Sequence, residues 1–115
     1  YDAPACQFHA PADGTLTNIT AMGYVNDTGA TDPFKFYVYK GAVSNDGTNT
    51  SLTLIGTSDA PATISGAAKT FSINTDISSS NSFSAGDGLW VMWKKDSNTG
   101  SQDVYFSVTI SGEYD

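Results

Sequence analysis

The stretch 84–96, SAGDGLWVMWKKD, decides the fold of this chain and raises the main question about its function. In an extended strand, successive side chains point to opposite faces. Here both faces carry large apolar side chains: Leu89, Val91 and Trp93 on one, Trp90 and Met92 on the other. A strand in a small two-sheet protein normally buries one face and exposes the other to water. The sequence therefore predicts a strand whose second face needs a cover.

The composition is typical of a β-rich, turn-rich protein with a neutral polar surface. The 115 residues include 14 serines, 14 threonines and 11 glycines, and only 15% are charged. A helical protein would usually carry more Ala, Leu, Glu, Lys and Arg. The length suits one domain with one core, so we expect a single β-sandwich domain over residues 1–115.

The charge excludes some classes of partner. The chain has a net charge of −7, five lysines and no arginine. Binding to phosphate groups relies on Lys and Arg, so nucleic acid and an anionic membrane surface are poor partners. No apolar run approaches the roughly 20 residues that a membrane-spanning helix needs.

Short strand-like runs alternate with clusters of Gly, Asn, Asp and Ser, the residues that turns favour. Seven or eight strands at this spacing predict an all-β protein, an antiparallel jelly-roll sandwich of about eight strands. The predicted strands are Ala5–Ala10, Thr15–Val25, Pro33–Val43, Ser51–Thr57, Lys69–Thr75, Leu89–Lys95 and Asp103–Gly112.

Alternation along these runs predicts the core. The residues assigned to it, besides one face of the opening stretch, are Phe34, Phe36, Val38, Leu52, Leu54, Phe71, Ile73, Val104, Phe106, Val108 and Ile110. Tyr37, Tyr39 and Tyr105 alternate with these core positions, so they face outward with Trp90 and Met92. Aromatic residues and Met are enriched at subunit interfaces, so these five are candidate interface residues. Two alternatives stay open: a long loop covers Trp90, or the strand is central and both its faces are internal.

The sequence contains no recognisable catalytic arrangement. Cys6 is the only cysteine, so the chain forms no internal disulfide, and His9 is the only histidine. A zinc site needs about four ligands. One chain offers only Cys6 and His9 plus carboxylates, although a threefold axis between subunits would repeat these two ligands. In a strand the two side chains would point to opposite faces, which disfavours a Cys-His catalytic pair. We predict that the protein is not an enzyme and has no cofactor.

Calcium is the only metal that receives support. The loops 26–32, NDTGATD, and 44–51, SNDGTNTS, offer several oxygen ligands with glycine between them. Neither matches the helix-flanked calcium signature, so ordinary turn chemistry is favoured.

The first residues, YDAPACQFHAP, lack the basic region and apolar core of a signal peptide, and they also lack an initiating Met. Both a processed chain and a fragment of a longer one remain open.

Residues 52–115 contain an aromatic strand, the turn SAGD at 84–87, an alternating strand that ends in Lys94-Lys95, and the closing strand VYFSVTISGEY. In these features the second half of the chain resembles the small jelly-roll domains of tailed-bacteriophage virion proteins, which are similar to the trimeric C1q and tumour-necrosis-factor fold. The stretches APADGTLTNITAMGYVND and FYVYKGAV fit the first strands. The resemblance covers nearly the whole chain, and its motifs are short and degenerate.

The resemblance implies a homotrimer at the virion surface, outside the cell, with other virion proteins as partners. Its role would be a fibre tip, a spike or a head decoration that stabilises the particle or contacts a host-surface glycan. The interface would use Tyr37, Tyr39, Trp90, Met92 and Tyr105. The loop residues that would contact the host are Asn26, Asp27, Asp32, Asn45, Asp46, Asn49 and Asn98.

A second hypothesis is a monomeric carbohydrate-binding module of a secreted bacterial protein. In that case exposed Trp90, Tyr37 or Tyr39 would stack on sugar rings. A secreted cytokine-like ligand is disfavoured, because such small domains usually carry disulfides. The location of the aromatic side chains separates the first two hypotheses.

Overall fold

A computed structural model describes residues 6–26, 34–43, 51–60, 69–95 and 103–115. All regular structure in these ranges is β-strand. The strands are β1 Cys6–His9, β2 Gly14–Asn26, β3 Phe34–Ala42, β4 Thr53–Thr57, β5 Lys69–Asp76, β6 Ser82–Phe83, β7 Asp87–Lys95 and β8 Asp103–Tyr114.

The strands form two antiparallel sheets of four strands each, which confirms the predicted all-β, antiparallel jelly-roll sandwich of about eight strands. Sheet A has the order β1-β7-β3-β4. In sheet B, β2 is the central strand: β5 and β6 pair with one side of it, and β8 pairs with the other side. The chain passes from one sheet to the other after β1, β2, β4, β6 and β7.

The core lies between the two sheets. Phe34, Phe36 and Val91 of sheet A are fully buried, as is Ile19 of sheet B. Edge-to-face ring contacts join the sheets, with Phe34 5.1 Å from Phe71 and Phe36 5.1 Å from Phe106, centroid to centroid. The alternating residues of β8 pack against this core from the edge of sheet B. The predicted core is therefore confirmed on most strands.

The prediction was wrong for β4. Leu52 and Leu54 are each 43% exposed, whereas Ile55 is 3% exposed. The pairing of β3 with β4 shifts register between Val38 and Tyr39, which leaves Ile55 as an extra residue in β4. Such a bulge interrupts the two-residue period, so Ile55 points inward and Leu54 outward.

The turn before β7 fixes where the opening stretch enters sheet A. The Asp87 carboxylate accepts a hydrogen bond from the Ser84 N–H at 2.8 Å, and the Asp13 carboxylate accepts one from Ala85 N–H at 2.8 Å. Gly86 has a φ of 89°, a conformation that favours glycine. Carboxylates that accept backbone N–H groups are a common way to hold a tight turn.

Candidate functional site

The outer face of sheet A carries a group of aromatic and apolar side chains, which we call the aromatic face. Val38 and Val91 point into the core and are fully buried, so their neighbours along each strand point outward. The pairing of the strands places these outward side chains next to one another. The members of the aromatic face are Tyr37, Tyr39, Leu54, Trp90 and Met92.

Two rows of cross-strand neighbours build the aromatic face. One row crosses all four strands of sheet A, in the order Gln7, Trp90, Tyr39 and Leu54. In the next row, Met92 lies opposite Tyr37. Residues directly opposite on one face of an antiparallel pair have Cβ atoms about 4.5–5.5 Å apart, so these side chains form one continuous patch.

This patch remains partly accessible in the single chain. Leu54 is 43% exposed, and the aromatic members and Met92 are partly buried. β7 is a central strand of its sheet, but in the described part of the chain only one face of that sheet packs on sheet B. Within the described residues the outer face of β7 therefore has no second sheet packed on it, and the alternative in which both faces of the strand are internal stays a prediction. A covering loop would have to come from outside the described residues.

The glycine at position 88 allows Trp90 to lie close against the sheet. Gly88 and Gly41 are opposite each other in the next row, and both are buried. A Cβ added at Gly88 would lie 2.5–3.0 Å from three atoms of the six-membered ring of Trp90. The indole thus folds back along β7 and covers the glycine. Aromatic cover of a strand glycine is a known stabilising device in sheets.

We expect Gly88→Ala to displace the Trp90 ring and to leave the fold intact. The added methyl group would clash with the far end of a movable side chain, so the free energy of unfolding should change by less than about 1 kcal/mol. In an NMR spectrum, the indole N–H signal of Trp90 should shift, while the signal of Trp93 serves as an internal control. A Trp90 signal that stays in place would show that the ring does not need the glycine.

Different polar side chains flank the two ends of the aromatic face. At one end, Lys35 and Lys94 lie directly opposite each other on β3 and β7. At the other end, His9 lies opposite Gly88, and its Nε2 is 3.2 Å from the carbonyl oxygen of Gly86. His9 therefore contacts the turn before β7.

Tyr105 lies away from the other candidate interface residues. It is on β8, where it faces outward from sheet B, on the opposite side of the sandwich. Its direct neighbour there is Tyr24, with ring centroids 6.3 Å apart, and Met22 of the same surface is 65% exposed. Within one chain, the five predicted residues therefore form two surfaces: the aromatic face, and a second surface that includes Tyr105.

The sequence did not predict three exposed side chains on these two surfaces, Met22, Tyr24 and Leu54. Met22 and Tyr24 alternate with buried Ala21 and Val25, so the period of β2 contained the signal. Leu54 had no such signal, because the bulge that exposes it is a property of the pairing with β3.

The predicted host-contact residues lie almost entirely outside the described part of the chain. This applies to Asp27, Asp32, Asn45, Asp46, Asn49 and Asn98. Asn26 is the last residue of β2, and its side chain is not described. Both loops that offer oxygen ligands for calcium, 26–32 and 44–51, also fall outside the described ranges, apart from their end residues Asn26 and Ser51.

The described residues contain no cluster of three or more His, Cys, Asp or Glu side chains that could hold a metal ion. Cys6 begins β1, and its side chain is not described, so the predicted orientation of the Cys6–His9 pair stays a prediction. Within the described ranges, no helix has the length and apolar character to cross a membrane.

Comparisons of the chain with protein-family models, with curated proteins and with solved structures find no match. The candidate site therefore rests on the geometry of the aromatic face.

Proposed function

We propose that this protein is a non-enzymatic, trimeric surface domain of a tailed-phage virion, in which the aromatic face is the contact between subunits. The observation that carries the proposal is the row Trp90, Tyr39 and Leu54 on the solvent side of sheet A. Polar side chains normally occupy the outward face of such a sheet. The virion role itself rests on the resemblance of residues 52–115 to phage jelly-roll domains.

The energetics favour burial of this face against another chain. Removing apolar surface from water contributes about 25 cal/mol per Å². Trp, Tyr and Met are the residue types that interfaces prefer, and Trp and Tyr often dominate binding energy. Since Trp90 rests on Gly88, its indole has less side-chain freedom to lose on assembly. A fibre tip, a spike or a head decoration would each use such an assembly.

Trp90→Asp is expected to convert the trimer into a monomer. The change places a charge at the centre of the proposed contact, where burial without a partner would cost several kcal/mol. Light scattering during size-exclusion chromatography should give three times the chain mass of 12.1 kDa for the wild type and one chain mass for the variant.

Tyr105→Asp is the matched control for this experiment. It introduces the same side chain at an aromatic residue that is 60% exposed on the opposite side of the sandwich. The control should remain trimeric. A wild-type monomer, or a trimer that Tyr105→Asp dissolves and Trp90→Asp does not, would contradict the proposed contact.

The alternative function is carbohydrate binding by a monomer, and one observation favours it. Trp90 is only partly buried in the single chain, so part of its side chain is accessible for contact with a sugar ring. In this case the wild type is a monomer that is retained by immobilised polysaccharide, and Trp90→Ala abolishes retention. Trp90 is thus the test residue for both functions, and the mass of the wild type distinguishes them.

A further inference from the structure

On the side of the sandwich where β1 and β8 lie, each sheet ends in a strand whose outer edge has no partner among the described residues. Within the described part of the chain, β1 pairs only with β7, and β8 pairs only with β2. Neither strand contains Lys, Arg or Pro. Natural proteins usually protect long edge strands with lysines, prolines, bulges or a covering element, because an open edge recruits further strands. β8 runs for 12 residues, which makes it a long edge.

An apolar cleft of about 350 Å³ opens beneath this pair of edges. Phe8 faces Leu89 across the β1–β7 pair, yet 41% of its surface is exposed. The inward residues of β8 are only partly buried, whereas Ile19 on neighbouring β2 is fully buried. The apolar side chains that line the cleft are Phe8, Leu16, Phe83, Leu89, Val108 and Ile110.

The charges near this edge restrict what can occupy it. Glu113 lies near the end of β8, Asp115 follows the strand, and the backbone N–H of Asp115 donates to the carbonyl oxygen of Asp13. The charged groups described on β8 and at its end are therefore acidic. A second copy of the chain would bring a net charge of −7 and no arginine to this acidic edge. A basic partner is electrostatically complementary to it.

We propose that the edge of β8 binds an extended segment of a different polypeptide, with alternating apolar residues and flanking Lys or Arg. The segment adds to sheet B by main-chain hydrogen bonds, which supply affinity without regard to sequence. Its alternate apolar side chains enter the cleft between β1 and β8, and one of its basic ends lies near Glu113 and Asp115. This site is separate from the aromatic face, so it goes beyond the proposed self-assembly and offers a point of attachment to another protein.

A synthetic peptide of alternating valine and threonine with lysines at both ends is the probe. Amide hydrogen exchange and calorimetry on the whole chain should detect its binding, with protection of backbone amides along β8. A peptide with glutamates in place of the lysines should bind at least about tenfold more weakly, because like charges then meet at the edge. A peptide with proline at its centre should also bind more weakly, because it lacks a ladder donor.

Thr109→Lys and Ile110→Lys place a charge on β8, on the exposed face and toward the cleft respectively. Both should weaken binding of the lysine-ended peptide by about tenfold or more. The matched control, Thr70→Lys, makes the same charge change on the exposed face of β5 and should bind as the wild type does. If Ile110→Lys fails to fold, Thr109→Lys still provides the test.

Three results would overturn the proposal. The first is no binding and no protection of β8 by the lysine-ended peptide. The second is binding that the variants on β8 leave unchanged, which would place the peptide elsewhere. The third is protection of β8 that rises with protein concentration in the absence of peptide, which would assign the edge to a second copy of the chain. None of these results depends on whether the aromatic face forms a trimer.

Discussion

Phe34→Ala should lower the free energy of unfolding by about 3–5 kcal/mol, the usual cost of removing a buried phenylalanine ring. Phe34 is fully buried at the start of β3. Its ring makes edge-to-face contacts with Phe71 at 5.1 Å, Phe36 at 6.2 Å and Trp93 at 6.3 Å between centroids. Such ring pairs contribute roughly 0.5–1.5 kcal/mol each beyond the area that they bury. The substitution therefore removes volume and several specific contacts together.

Chemical denaturation at a fixed protein concentration measures this loss, since assembly would otherwise change the apparent stability. Phe34→Leu keeps part of the volume and should lose clearly less than the alanine variant. Tyr105→Ala removes a ring of similar size that is 60% exposed, and should change stability by less than about 1 kcal/mol. A loss below about 1.5 kcal/mol for Phe34→Ala would mean that Phe34 and the rings that it contacts are not the centre of the core.

Such aromatic positions also show why most of the fold could be predicted from the sequence. In β3, the alternation of Phe34, Phe36 and Val38 with polar and tyrosine residues follows the pleat of a strand without interruption. In β7, the same period assigns Leu89 and Val91 to the core, where the structure places them. The turn residues between such runs mark the strand ends to within a few residues.

The remaining features depend on pairing between strands, which the period of one strand does not contain. Leu54 is exposed because a bulge opposite Val38 and Tyr39 shifts the alternation of β4. The strand β6, Ser82–Phe83, is too short to show a period. Tyr105 has the outward orientation that its alternation predicts, but its strand joins sheet B and not sheet A.

The candidate site could be predicted in the same partial way. The sequence identified Trp90 and Met92 as side chains in need of cover, and the structure places Tyr37 and Tyr39 directly beside them. The position of Trp90 over Gly88 depends on the conformation of the indole, which no sequence period specifies. The open edge of β8 became visible only with the strand order, because an edge strand and a central strand can share one sequence pattern.

Gly23→Ala should destabilise the protein by at least about 3 kcal/mol, above the usual range for overpacking. At a position with ordinary strand geometry and free space, a change from Gly to Ala normally stabilises a protein by about 0.4–1 kcal/mol. A loss of stability on Gly23→Ala would therefore itself indicate the steric clash. A Cβ at Gly23 would overlap the carbonyl oxygen of Tyr105 and lie 2.9 Å from the Cα of Phe106. Both obstacles are backbone atoms of β8, which cannot rotate away as a side chain can.

The effect should extend through sheet B because Gly23 lies in β2, which is hydrogen-bonded to β5 on one side and to β8 on the other. Relief of the clash would move β8 away from β2 and open the core contact between Phe36 and Phe106. Met22→Ala, one residue earlier and 65% exposed, is the matched control and should change stability by less than about 1 kcal/mol. Thermal unfolding of both variants at one concentration checks the prediction. A Gly23→Ala variant as stable as the wild type would show that β2 and β8 are farther apart than the structure places them.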